Sequence, residues 1–366
     1  MDGPNPIRVC FVAPKAYPLF DPSVQEVFGG AEVDLYLLAT ELAKDPGFEA
    51  TMIVGDYGQG PDQTLEGVRI IRGLSFRQSA LSTAVSLWKA LRRADGQVYF
   101  IKTPSPGVPL VALFCKVRGR AFVYRTSSAP QYDRSFRKAH RLLGRAFDWA
   151  LRRARVVLAQ SQEAATALRQ DVGLTAVSVI PNGHRLGPVQ GGPRDIILWV
   201  GRSDPIKKPE LFMGLAARMP DQQFVMICQQ ATGDKDYPGL VECAKAIRNL
   251  QFIERVPFDQ IDTWFRRAKV LVNTSDPEGS PNTFIQAGQA AVAIASLNSN
   301  TDNFLVRYQC GVFAEGSFDR LVEGLRSLLE GDRYLEAGRA ARRYVEQTHD
   351  IRRIVETYKQ VLRSLV

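Results

Sequence analysis

The chain has 366 residues, 45% hydrophobic and 23% charged, with a formal net charge of +9. That length exceeds one ordinary hydrophobic core and suits two domains of roughly 150–200 residues, and the balance is that of a globular protein. The five cysteines (Cys10, Cys115, Cys228, Cys243, Cys310) are odd in number and mostly inside apolar runs, which argues against a disulfide scaffold and predicts buried, reduced thiols in a cytosolic protein.

In chain order, residues 1–6 lack a basic segment followed by an apolar core, so no secretory leader is expected. Ile7–Val12 is a short apolar run closed by Ala13-Pro14, the pattern of a buried first strand. After a long loop, Gly29-Gly30 opens a helix whose Leu35, Leu38 and Leu42 recur at helical spacing. Further strands are expected at 50–54, 68–71, 98–101, 121–124 and 156–159, with helical stretches between several of them. Such alternation predicts crossover connections and a mostly parallel sheet. Within it, 79–94 reads as a helix with Leu81, Val85 and Trp88 on one face and Lys89, Arg92 and Arg93 nearby. Such a helix either packs on the sheet with its cations outward or lies in a membrane interface.

The longest fully apolar run, 108–115, is eight residues with Pro109 inside it, far short of a bilayer span. The stretch 89–155 holds sixteen Lys or Arg against three Asp, an excess of +13, while the remainder is slightly acidic. A basic region on that scale suggests an anionic partner, either membrane lipid or nucleic acid. Nucleic acid is disfavoured, because neither interleaved aromatic platforms nor a zinc finger or helical reading motif accompanies the charge. The resulting expectation for location is the cytoplasm, with the basic region serving either peripheral attachment to the cytoplasmic face of an anionic membrane or simply solubility and attraction of an anionic ligand.

Ser178 to Gly183 ends the first half, and Gly187-Pro-Val-Gln-Gly-Gly-Pro193 is the most Gly/Pro-rich window, hence the expected linker. Strands are then expected at 196–200, 223–228, 252–256, 270–273 and 291–295, with a helix from Pro209 to about Ala217. Ile351, Ile354, Val355, Tyr358, Leu362 and Leu365 form one apolar stripe of a final helix. The expected fold is α/β, with two tandem Rossmann-like doubly wound domains at 1–188 and 194–347 and a helical segment at 348–366. Two such domains place the carboxyl ends of two sheets across one crevice, where ligands bind.

Three strand-end loops carry suitable chemistry. Gly29 and Gly30 would let a diphosphate approach the backbone at a helix start, but G-x-G-x-x-G spacing is absent and a plain turn explains the pair equally well. Directly after the strand 196–200, Arg202 offers a five-donor fork and Lys207 a point charge, together suited to a leaving diphosphate; Lys208 is the poorer candidate. In 273–286, Ser280 is expected as N-cap and Pro281 as first helical residue. The amides of Asn282 and Thr283 then meet an anion, with Gln286 one turn beyond Asn282 and Glu278 reaching the same spot from the loop. The bland alternative is that Ser280 caps the helix and Glu278 complements its dipole. His140, His184 and His349 are isolated, so no zinc site is expected; His184 is the one placed to line the crevice.

These residues resemble the retaining, nucleotide-sugar-dependent glycosyltransferases of family 4, which have the two-domain GT-B architecture. The matching pieces are Gly29-Gly-Ala-Glu32, Ile180-Pro-Asn-Gly183, Val200-Gly-Arg-Ser-Asp-Pro-Ile-Lys207 and Glu278-Gly-Ser-Pro-Asn-Thr-Phe-Ile-Gln286. The resemblance implies that Arg202 and Lys207 bind the donor diphosphate and that Glu278 contacts the transferred sugar or orients the donor. It implies phosphate-binding amides at Ser280, Asn282 and Thr283, a diphosphate contact from Gly30, base contacts from backbone around Val256, and a final helix packed on the N-terminal domain. It implies no cofactor beyond the nucleoside-diphosphate sugar, no metal, and a glycan or lipid-linked acceptor; UDP, GDP and ADP remain open in that order.

Two departures stand out. The family's second glutamate is Gln286 here, which keeps one acceptor for a ribose but loses a charge-assisted bond. After the strand ending at Tyr124, many members carry a histidine where this chain offers Thr126, Ser127 and Ser128, so contacts to the donor sugar would come from hydroxyls. An epimerase or phosphorylase on the same plan, or a non-catalytic nucleotide-sugar-binding protein, are the alternatives.

Overall fold

The computed structural model describes residues 5–127, 131 and 135–366. The chain divides into two compact units, 1–185 with 351–366, and 186–350.

The first unit is built on an eight-stranded sheet in the order β3-β4-β2-β1-β5-β6-β7-β8. Its strands are β1 (Ile7–Val12), β2 (Phe48–Gly55), β3 (Asp62–Leu65), β4 (Val68–Leu74), β5 (Val98–Lys102), β6 (Ala121–Arg125), β7 (Val156–Ala159) and β8 (Val177–Val179). Neighbouring strands are parallel except for β3, which is antiparallel to β4. That edge hairpin closes through Glu66 and Gly67, both at positive φ, the conformation a two-residue primed turn requires. It is missing from the sequence reading because Asp62-Gln-Thr-Leu65 is polar and edge-exposed.

From β1 the chain goes first to β2 on one side and later to β5 on the other, so the β1/β5 boundary is the topological switch point. Three helices, Ala80–Ala94, Gly107–Arg118 and Arg141–Leu151, share one core with one face of this sheet. The helices Gly30–Leu42 and Ile351–Arg363 pack on each other. The latter buries Ile351, Ile354, Val355, Tyr358 and Leu362, and its first amide donates to the His184 carbonyl at 2.9 Å.

The second unit has six strands, all parallel, in the order β11-β10-β9-β12-β13-β14. They are β9 (Ile196–Arg202), β10 (Phe224–Gln229), β11 (Leu250–Ile253), β12 (Ala268–Asn273), β13 (Ala293–Ser296) and β14 (Gly311–Phe313). Strand alternation sends Ile197 and Trp199 into one hydrophobic layer and Ile196 and Leu198 into the other, so the sheet is covered on both faces. Here the switch point lies between β9 and β12. β11 sits two residues earlier than the expected 252–256: Leu250 is buried and leads it, whereas 254–257 run out into an exposed or half-exposed loop. The helix Asn282–Gln289 lies close against Tyr334–Thr348; a Cβ on Gly288 would stand 2.3 Å from Val345 Cγ2, so this approach needs a glycine. Among the described residues, no helix is long and apolar enough to cross a membrane.

Candidate functional site

The switch point of the second sheet joins two loops through charge. β9 ends at Arg202, whose guanidinium lies 2.7 Å from the Asp204 carboxylate. Asp204 is held extended before Pro205, a tight turn Pro205–Lys207 follows, and Lys208 at φ +47° starts the helix Pro209–Arg218. That path aims Lys207 back over the sheet edge, where its ammonium donates to the Glu278 carboxylate on the loop after β12. Lys208 turns to Asp276 on the same loop.

The loop that carries Glu278 is tied down at several points. Thr274 Oγ1 accepts from Trp199 Nε1 at 3.0 Å and donates to the Lys207 carbonyl at 2.7 Å. Asn273 Nδ2 donates to Glu278 Oε1 at 3.1 Å, and the Glu278 amide donates to Ser299 Oγ at 3.1 Å. Thr301 Oγ1 reaches the Gly279 carbonyl at 2.6 Å. Ser299 follows the end of β13, and its amide donates to Ser296 Oγ at 3.2 Å. Three strand ends therefore fix one carboxylate. Burial alone would raise the Glu278 pKa, but the Lys207 charge and hydrogen bonds from Lys207, Ser275 and Asn273 outweigh it and hold the group below its ordinary value. Glu278 is thus an anion, and Lys207 is oriented by it.

The helix after this loop begins one residue later than expected. Pro281, at φ −63° and ψ 123°, is the N-cap in place of Ser280. The first turn closes from the Phe284 amide to the Pro281 carbonyl at 3.0 Å, which makes Asn282 the first helical residue. Both Asn282 and Gln286 are half-exposed, one turn apart. Val256 is half-buried against the second unit's core, so its backbone is what the loop after β11 can offer.

Gly29 and Gly30 belong to the first unit, where Gly29 is the N-cap of Gly30–Leu42 and its amide donates to Glu32 Oε2 at 2.9 Å. A carboxylate of the helix's own first turn thus sits at its positive end. Of the hydroxyls expected after β6, that of Thr126 is buried, with Oγ1 toward the Leu158 carbonyl at 3.4 Å; Ser127 is half-exposed and its Oγ accepts from Gln131 Nε2 at 2.5 Å; Ser128 lies outside the described residues. His184 is buried and His349 packs edge-on against Tyr344, while His140 is exposed. Among the described residues no three His, Cys, Asp or Glu side chains are grouped to hold a metal ion.

A buried ionic network at the strand ends of the first unit escaped the sequence reading. Asp34 accepts from Lys102 Nζ at 2.8 Å and Arg125 Nε at 2.6 Å, all three almost fully buried. Arg125 also donates to the Ile180 carbonyl at 2.9 Å and to Asn182 Oδ1 at 2.7 Å, and lies 5.5 Å from the Tyr358 ring centroid. Burial, and Arg125 after the opposing pull of Asp34, bring the Lys102 pKa down to about 8. The signal was in plain sight: Lys102 and Arg125 each end a wholly apolar strand, a place where a cation is either solvated or paired.

Comparison with known proteins fits this geometry. Residues 28–186 match the family model described as Glycosyltransferase Family 4. A comparison with curated proteins finds no match. Among solved structures, sucrose-phosphate synthase from Thermosynechococcus elongatus superimposes with a TM-score of 0.80 at 16% identity, covering 98% of each chain. An α,α-trehalose 6-phosphate synthase from Burkholderia multivorans gives 0.72 at 12% identity over 98% of each chain. WaaG, a glycosyltransferase involved in lipopolysaccharide biosynthesis, gives 0.69 at 14% identity over 97% of this chain and 99% of its own. At such identities these likenesses establish the GT-B fold, and with the family match over residues 28–186 they mark a glycosyltransferase, similar to family 4, that transfers a sugar from a nucleotide-sugar donor to an acceptor.

Proposed function

We propose that the transfer proceeds with retention, from a nucleoside-diphosphate sugar to a glycan or lipid-linked acceptor, and that the second unit's switch point holds the donor. The observation that carries this reading is the Lys207–Glu278 pair, fixed by the ends of β9, β12 and β13 beside Arg202. Arg202 and Lys207 bind the diphosphate and stabilise the charge that grows on it as its bond to the sugar breaks. The backbone at Ser280, Asn282 and Thr283 adds the positive end of the helix Asn282–Gln289. Glu278 holds Lys207 and meets the sugar hydroxyls, Gln286 accepts from the ribose, and the loop at Val256 takes the base. The acceptor oxygen bonds to the anomeric carbon on the face the diphosphate leaves, and its proton passes to the departing phosphate oxygen.

The acceptor is lipid-linked in this reading, as the involvement of WaaG in lipopolysaccharide biosynthesis suggests, and the protein works at the cytoplasmic face of an anionic membrane. A mass-spectrometric screen of nucleotide sugars, followed by an acceptor panel with the best donor, tests the reaction. Arg202→Ala is expected to lower the donor-dependent rate on the order of 10²-fold or more. A rate unchanged by that substitution removes Arg202 from the mechanism, and an epimer or sugar phosphate as sole product replaces transfer by one of the alternatives.

A further inference from the structure

The three helices on one face of the first sheet carry an unusual outer surface. In a helix packed on a sheet, the stripe opposite the buried one is ordinarily polar. In Ala80–Ala94 the inward residues are Leu87, Ala90, Leu91 and Ala94, while the outward stripe at i, i+4, i+8 is Leu81, Val85 and Lys89. Leu81 is 82% exposed and Val85 54%. Trp88, expected on that stripe, turns instead toward the core and meets Phe114 edge-on at 5.1 Å. Gly107–Arg118 repeats the pattern with Leu113 and Val117 outward, Val117 at 63% exposure, and Arg141–Leu151 opens with Leu142 at 81%.

Charge follows the same surface. These helices hold seven Lys or Arg and one acid, Asp148, which Arg137 neutralises at 2.8 Å. Lys89, Arg92, Lys116 and Arg145 are exposed between the aliphatic residues. The middle helix touches both outer ones, so the three stripes lie side by side. Leu81 and Leu142 each sit in the first turn of a crossover helix, hence on the edge where the sheet's strands end.

We propose that this three-helix face docks on an anionic lipid bilayer, with Leu81, Val85, Leu113, Val117 and Leu142 entering the headgroup–acyl boundary and the interleaved cations binding headgroups. It deepens the peripheral-membrane reading above by naming the surface. Aliphatic side chains between cations match a medium that is apolar beneath a negative skin. A nucleic acid would use the cations but gain little from exposed leucine and valine, since its bases call for aromatic stacking partners.

The test is flotation of the full chain with phosphatidylserine–phosphatidylcholine vesicles and with pure phosphatidylcholine vesicles at physiological salt. Binding is expected only to the former. Lys89→Gln with Arg145→Gln should weaken it about 25-fold, at about fivefold per cation near the surface. Leu81→Ser with Leu142→Ser should weaken it about tenfold through lost insertion. Both pairs are exposed, so thermal unfolding should be unchanged, which separates lost docking from lost folding. Equal weak binding to both vesicles, or binding indifferent to the four substitutions, overturns the proposal. So does a single-stranded oligonucleotide that binds tightly through the same cations and is unaffected by the leucine changes, or a dimer that the leucine changes dissolve. A chain that floats on anionic vesicles yet transfers no sugar leaves the surface standing and sinks the transfer reading. Transfer to a detached, water-soluble acceptor in a chain that never floats does the reverse.

Discussion

Asp34 faces two buried cations, so replacing different members of this network should have opposite consequences. Asp34→Asn leaves Lys102 and Arg125 buried side by side without an anion, a loss expected to cost about 3–5 kcal/mol of the first unit's stability. Lys102→Met instead leaves Arg125 and Asp34 as a balanced pair and should be neutral or stabilising at pH 7. The reason is the Lys102 pKa of about 8 against an ordinary 10.5. A lysine whose pKa falls on folding opposes folding by about 3 kcal/mol while protonated in both states. Between about pH 8 and 10.5 the unfolded chain binds more protons than the folded one, so this penalty shrinks as pH rises. Urea unfolding at pH 7 and pH 9 checks both points. Because the two units need not unfold together, Trp199 and Trp264 should be replaced by Phe so that Trp88 and Trp149 report the first unit alone. Lys102→Met proving as destabilising as Asp34→Asn would refute the reasoning, since it would show Lys102 to be a needed partner and not a surplus charge.

Lys207→Ala and Glu278→Gln should each lower the donor-dependent rate, and the double variant should cost little more than the worse single one, a coupling of about 1–3 kcal/mol in a kinetic cycle; additive losses would dissolve the pair as a unit. Ionised Glu278 contributes stability that is fully present above the ordinary carboxylate range and lost as pH falls through its lowered pKa, so Glu278→Gln should flatten the acid limb of the second unit's melting temperature. Gln286→Glu should tighten the nucleotide sugar about fivefold by restoring a charge-assisted bond, measured by calorimetry, with no change counting against a ribose contact. Gly288→Ala should cost about 1–3 kcal/mol in denaturant unfolding, because its Cβ would press on Val345.

Much of the framework was legible because buried parallel strands leave unbroken apolar runs. Ile7–Val12 and Val156–Ala159 coincide with their expected bounds, and the other buried strands are found within a few residues of theirs. Short or polar edge strands carry no such signal, and β3 and Gly311–Phe313 went unseen. At the site, the strand-end loops themselves singled out Lys207 and Glu278, but nothing in their spacing says that one would orient the other. Ser299 and Thr301 are ordinary loop residues until the parallel pairing of β12 and β13 brings them under Glu278. The Pro281 offset is of another kind: its φ suits both the N-cap and the first helical position, and only ψ decides.

The helix Ile351–Arg363 completes a unit whose other 185 residues are made first. Tyr358 covers Arg125, and Lys359 reaches Asp45 at 2.8 Å. On the ribosome, the early unit must therefore wait for the whole of 186–350 to be translated, on the order of ten seconds or more at about 5–20 residues per second. Through that interval the face of Gly30–Leu42 that the late helix will cover stays bare. Synthesis order and folding order are thus interlocked, and the first unit is the one a nascent-chain chaperone would have to hold.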